Sequence, residues 1–417
     1  MSTRRSPLPA LLAAVVVCAA IVVPALIAEG TRPQPAAEPV FPTEVSAYSW
    51  WTAALAPGDV PAASAIYQNG IGVEFLDLPQ AIALGADGST YRRLSVAERR
   101  SARADQGDPA RSLLSGDGTF ALVAGPGGRG DLLAVTLADG SERSFDIGEG
   151  RHAMPTSIAG DTVLLLTDDK EISRYTDAEF RLHVGLSILD LASGEITALE
   201  QVRDVDSAAL SPDGSRIVAR TGSGLMLLDA DGIILADGIG DGQWYIDGDA
   251  WAPDGARFAA TDVGEVHVVD VAGVEPTIVS HPVDPQYSSA IGWRDADTVL
   301  VAGGDGSGDN VTRFAWVDVD SGAQEVFSTY RPDFTGAAMG SIDVARDLVA
   351  AWRVEPVAQA DRGGTPLWLA VVAAALAAGV VWLLTPRRRP PIAEALAEQV
   401  PSAPTDTPEP ASRGWQT

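Results

Sequence analysis

The chain has 417 residues, 46% of them hydrophobic and only 20% charged, and 56 acidic residues against 29 basic ones give a formal charge of −27. Such apolar content excludes a disordered chain, and glycine without a three-residue period excludes collagen. So acidic a surface repels phosphate backbones and argues against a nucleic-acid partner, while the single cysteine, Cys18, excludes an intrachain disulfide and a cysteine-based zinc site.

Residues 1–7 carry Arg4 and Arg5, and residues 8–28 that follow are uncharged. A run of this length predicts a transmembrane helix or signal anchor, with a cleaved signal peptide as the alternative. Residues 29–63 are rich in Pro and Ala and read as an extended stalk bearing Tyr48, Trp50 and Trp51. Residues 355–366 form a linker, and residues 367–384 are a second uncharged apolar run, followed at once by Arg387, Arg388 and Arg389. Residues 385–417 are a Pro-, Ala- and Thr-rich tail of disordered composition. By the positive-inside rule both arginine clusters face the cytoplasm. The expectation is therefore a cell-membrane protein with two spans, both termini cytoplasmic and residues 64–354 on the extracytoplasmic side.

Within residues 64–354 two phrases recur. Ala208–Gly214 reads AALSPDG and Ala250–Gly255 reads AWAPDG, with weaker copies led by Leu114, Ile158, Trp293 and Val344. The leading apolar residues stand about 41–52 positions apart. The second phrase, an apolar stretch running into an Asp/Gly turn, ends at Gly88, Gly140, Gly194, Gly232, Gly273 and Gly322. Short alternating runs punctuated by Gly, Asp and Pro signal strands and hairpins, and units of this length that cannot bury their faces singly signal a β-propeller. The predicted fold is all-β: a six-bladed β-propeller, with seven blades as the alternative, flanked by two transmembrane helices. The last strands, Ser341 to Val354, are expected to close the ring against strands near Ala81–Arg93, which removes the exposed edge.

The phrase resembles the WSPDG repeats of TolB-like and tryptophan–aspartate-repeat-like propellers, best in Trp251-Ala252-Pro253-Asp254-Gly255. With Lys170 as the only lysine, the composition is similar to actinobacterial-type proteins. The resemblance implies a binding platform and no particular reaction.

The chemistry-bearing residues are sparse. His152, His183, His267 and His281 form no HxxxH or HxH pair, so a zinc site would need convergence from distant blades. No GxSxG elbow, Walker loop or dinucleotide fingerprint is present. Trp251 and Trp293 occupy equivalent repeat positions and read as core. The acidic loops Asp305–Asn310 and Asp237–Tyr245 offer clustered oxygens, which makes Asp305, Asp309 and Asn310 the calcium candidates; no other cofactor and no catalytic residue is expected. The functional expectation is a non-enzymatic, membrane-tethered module that binds a protein or cell-envelope ligand. The alternative is a propeller hydrolase or lyase with acidic residues at its central channel.

Overall fold

A strand buried on both faces reads as an unbroken apolar run, and Val163-Leu164-Leu165-Leu166 is such a run. In the computed structural model its alternate side chains enter different cores: Leu164 and Leu166 pack on one side, Val163 and Leu165 on the other. Ile217 and Ala219 against Val218 repeat the pattern, as do Ala121 and Val123 against Leu122. Each sheet is thus sandwiched between its neighbours, which is how these repeats bury faces that none could bury alone. The structure describes residues 38–70, 79–102, 105–173, 182–304, 309–333, 336–363 and 367–384.

The chain divides into two compact units, Pro33–Gly363 and a second made of Met1–Arg32 with Gly364–Thr417. In the first, β1 (Val40–Pro42) pairs in parallel with β24 (Arg353–Glu355). Four four-stranded sheets follow. One joins β3 (Ala63–Asn69), β4 (Gln80–Gly85) and β5 (Tyr91–Arg93) to β23 (Met339–Val344). The next three comprise β6 (Ser112–Leu114) to β9 (Glu142–Asp146), β10 (His152–Ala159) to β13 (Ile196–Leu199), and β14 (Val205–Leu210) to β17 (Ile234–Ile239). The fifth sheet has six strands, β18 (Arg257–Asp270), β19 (Thr277–Asp295), β20 (Thr298–Gly304), β21 (Thr312–Asp318), β22 (Gln324–Tyr330) and β2 (Glu44–Val45).

The all-β propeller is therefore five-bladed by hydrogen bonding, not six- or seven-bladed. The cause is β19, which continues for 19 residues through the expected break between two repeats. Tyr287 on it pairs with Val263 on one side and Gly304 on the other, so two repeats become one sheet. The helices are α1 (Ser95–Arg99), α2 (Arg346–Val349) and α3 (Leu367–Leu384).

The repeated phrase has a local physical basis. In Ser211-Pro212-Asp213-Gly214, the Asp213 carboxylate accepts from the Ser215 N–H (3.0 Å) and the Ser211 hydroxyl (2.6 Å), and these bonds hold its pKa below the ordinary value. Asp117 and Asp254 accept from the backbone two residues on in the same way, at 3.0 and 2.9 Å. The buried indoles of Trp251 and Trp293 donate to the carbonyls of Ala209 (3.1 Å) and Ala250 (2.7 Å), so each ties its repeat to the inner edge of the one before.

Ring closure runs through β23, whose Val344 pairs with Ala65 and Ile342 with Tyr67. The direct partner is β3, with β4 and β5 beyond it in the same sheet. The stretch expected as a stalk contributes β1 and β2. Phe41 is fully buried, stacked on Trp352 at 4.4 Å and edge-on to Phe314 at 5.6 Å.

The two expected membrane spans do not carry over. Residues 8–28 lie outside the described residues. Leu367–Leu384 is helical, but among the described residues no helix is long and apolar enough to cross a membrane. Membrane partnership, cell-membrane localisation, an extracytoplasmic propeller and cytoplasmic termini all rested on those spans and are withdrawn with them.

Because Phe41 couples the first strand to the last, Phe41→Ala is expected to lower unfolding stability by about 3–5 kcal/mol. Urea denaturation checks this, and a loss below ~1 kcal/mol would show that the N-terminal strand lies outside the cooperative unit.

Candidate functional site

The strands that open the repeats surround a central cavity of about 320 Å³, whose wall includes Arg111, Thr156, Ser207, Tyr245, Asp247 and Asp343. Asp247 and Gly248 of the sequence Asp247-Gly248-Asp249 also line it, where the backbone comes close to Thr156. A Cβ on Gly248 would lie 2.0 Å from the Thr156 carbonyl, and the Gly248 carbonyl accepts from the Ser157 hydroxyl at 2.6 Å. Only glycine fits there, and the turn closed by the Ala250 N–H on the Asp247 carbonyl (3.2 Å) holds a carboxylate on each side of it.

Asp343 reaches the same cavity from β23 and accepts the Leu114 N–H. Arg111 lies 3.8 Å from Asp247, and Arg346 lies 4.0 Å from Asp249, whose side chain is 9% exposed. Burial pushes the Asp249 carboxyl up to about 7, with Arg346 pulling it down and Asp247 and Asp347 adding to the rise. Asp343 is raised well above the ordinary value, first by burial and then by the charge of Asp249. Burial of this kind favours the protonated form of each carboxyl, the direction of shift that general acids need. Beside them, Arg220 is buried on Asp206 (2.8 Å) and lies 4.2 Å over the ring of Tyr245.

A second cluster lies on β18. Tyr245, in the cavity wall, exchanges backbone hydrogen bonds with Thr261 at 2.6 and 2.8 Å. Directly after it, Asp262-Val263-Gly264-Glu265 turns tightly, with Gly264 at φ +88°. The turn brings Asp262 toward Glu265, and His267 follows two residues on, so that a ligand atom from each lies within 4.8 Å of the other two. These three residues can coordinate a divalent ion. The imidazole stacks on Trp244 at 3.9 Å and 6°, and its Nδ1 lies 2.8 Å from the Ser280 hydroxyl.

These clusters overturn the expectation of a non-enzymatic binding module, and the alternative of acidic residues at the channel fits better. No convergence of blades was needed for a histidine site: one hairpin suffices, and its signal was a two-residue Val-Gly turn flanked by acids with His two positions beyond. The calcium candidates fare differently. Asp305 lies outside the described residues. Asp309 and Asn310 are exposed, and Asn310 donates its amide to the Gly336 carbonyl at 3.0 Å. In the loop Asp237–Tyr245 the consequential residue is Trp244, against His267. Sequence reasoning singled out none of Asp247, Asp249 and Asp343, the last lying within the expected closing strands Ser341 to Val354, because their burial arises only from packing.

No protein-family model and no curated protein matches the chain. Among solved structures it is similar to a TolB from Agrobacterium tumefaciens, at 18% identity over 55% of this chain and 82% of that one, with a TM-score of 0.35. It is similar to an oligogalacturonate lyase in complex with manganese, at 14% identity over 70% and 80%, with a TM-score of 0.42. For dipeptidyl peptidase 4 of Porphyromonas gingivalis the identity is 16% and the TM-score 0.36, and the alignment covers 54% of this chain and only 40% of the peptidase. The expected membrane anchorage of a TolB-like propeller is corrected by the absence of a spanning helix among the described residues.

The raised carboxyl of Asp249 has a consequence for stability. The folded protein keeps a proton that the unfolded chain releases near the ordinary value of 3.8, so this contribution is complete below about pH 4 and lost as pH rises through about 7. Asp249→Asn is expected to flatten the fall in unfolding free energy between pH 4.5 and 8, by roughly 1–4 kcal/mol. Urea unfolding at the two pH values reads the difference, and an unchanged slope counts against a buried, protonated Asp249.

Proposed function

We propose that the propeller is an enzyme, a hydrolase or lyase, that works by general acid–base chemistry between Asp249 and Asp343 at its channel. The supporting observation is a pair of poorly solvated carboxyls, Asp249 beside Gly248 and Asp343 on the closing strand, in which the charge of Asp249 adds to the rise of Asp343. Burial favours the protonated form of both carboxyls, which suits one to give a proton and the other to take one. In hydrolysis the acid protonates the departing oxygen while the carboxylate takes a proton from water. In elimination the carboxylate takes the proton from carbon and the acid again protonates the leaving group. Arg111 and Arg346 place positive charge where negative charge develops on substrate oxygen, and the cavity of about 320 Å³ suits a small polar molecule or one end of a longer one.

Calcium at Asp305, Asp309 and Asn310 stays a separate proposal, and the Asp262 cluster supports a divalent ion more generally. Asp262 and Glu265 supply the oxygen ligands that calcium takes, whereas the imidazole of His267 is foreign to its usual shell.

Incubation of the purified chain with panels of glycosides, uronides and esters, followed by mass spectrometry, is expected to reveal one class that is cleaved. Asp343→Asn and Asp249→Asn should each lower kcat about 10²–10⁴-fold while circular dichroism stays unchanged. No turnover by the wild type on any panel, or full turnover by both variants, rejects the proposal.

A further inference from the structure

His267 is 3% exposed, and its Nδ1 is engaged with the Ser280 hydroxyl, which leaves Nε2 to face Asp262. Nε2 lies 3.4 Å from the Asp262 Oδ2, yet makes no hydrogen bond, and neither does the buried Oδ1 of the same carboxylate. Leaving two buried polar atoms without hydrogen bonds is costly, and the cost is larger when one of them carries charge. The imidazole cannot turn away, because Trp244 is stacked flat against it and Ser280 holds its other nitrogen. With Ser280 accepting from Nδ1–H, the Nε2 lone pair points at an anionic oxygen, and a cation between them is the partner that satisfies both. Ser280 then has the role usual for an outer-shell residue, fixing the tautomer and the ring plane of a metal-ligating histidine. Glu265, exposed at the far side of the two-residue turn, closes the set from solvent.

We infer that the 262–267 hairpin binds one divalent cation through His267 Nε2 and the carboxylates of Asp262 and Glu265, and that the site selects ions that accept imidazole nitrogen, of the zinc, cobalt and manganese type, over calcium and magnesium. Three protein ligands on one short turn leave coordination positions for water or for a substrate oxygen. The backbone bonds between Thr261 and Tyr245 join the hairpin to a residue of the cavity wall. The inference is independent of the acid–base chemistry proposed for Asp249 and Asp343.

The test is isothermal titration of the chelator-treated full chain with zinc, cobalt, manganese, calcium and magnesium chlorides, with visible absorption read for cobalt. The expected result is one site that binds zinc and cobalt at least tenfold more tightly than calcium or magnesium. Glu265→Gln and His267→Gln should each weaken zinc at least tenfold, and His267→Gln should also remove the cobalt absorption. Glu265 is exposed, so its loss does not threaten the fold, and Asp249→Asn should bind zinc as the wild type does. Absence of zinc binding, calcium binding equal to zinc, or wild-type zinc affinity in Glu265→Gln and His267→Gln would overturn the inference.

Discussion

Everything in the propeller depends on one constraint: its last inner strand must find its first sheet. A sheet that ends in solvent leaves a row of unpaired N–H and C=O groups, and a ring of stacked sheets that fails to close leaves two apolar faces in water as well. Here β23 pairs with β3, and Ala345 continues the junction by donating its N–H to the Ser64 carbonyl at 3.0 Å. The seam is reinforced outside the ladder. Phe41 packs on Trp352, Arg353 lies in register with Val40, and Arg92 bonds at 3.0 Å to both Asp59 and Asp361, which are 302 residues apart in the chain.

Closure also builds the channel. Asp343 rides on the closing strand, and its carboxylate caps the Leu114 N–H of the neighbouring sheet. Its encounter with Asp249 therefore exists only in the closed ring. The low solvation that raises both carboxyls comes from the same packing, since the surrounding wall is made from inner strands and a glycine pressed against the Thr156 carbonyl. A chain carrying a charge of −27 has many acids in turns, but most of those are exposed and accept backbone N–H groups, which keeps them ionised. What distinguishes Asp249 and Asp343 is desolvation.

The Asp262 hairpin follows a more local logic. A two-residue turn fixes which side chains of its flanks meet, so its three possible ligands lie within six consecutive residues. The tertiary contribution is orientation: Trp244 comes from the preceding loop and Ser280 from β19, and together they immobilise the ring. The two sites thus differ in how they arise. One needs the whole ring, and the other needs a hairpin with two supports.

Much of the architecture was legible in local chemistry. Ser-Pro-Asp-Gly at 211–214 and Ala-Pro-Asp-Gly at 252–255 predict hairpin turns because the Asp side chain caps the backbone two residues on, and the recurrence of that turn marks a propeller. The core placement of Trp251 and Trp293 follows from their equivalent positions, although the indole bonds that bind one repeat to the next are visible only in three dimensions. Blade number was not legible. Whether two repeats separate depends on strand pairing through residues 284–289, a property of the ladder and not of punctuation. Nor did apolar run length decide the fate of residues 367–384. By itself the amino-acid order determined the turns, the β class and the apolar faces, because each arises from neighbours within a few residues. The closing partner, the joined fifth sheet and the desolvated carboxyls of Asp249 and Asp343 were decided by tertiary structure, because they depend on pairing and burial between residues far apart in the chain.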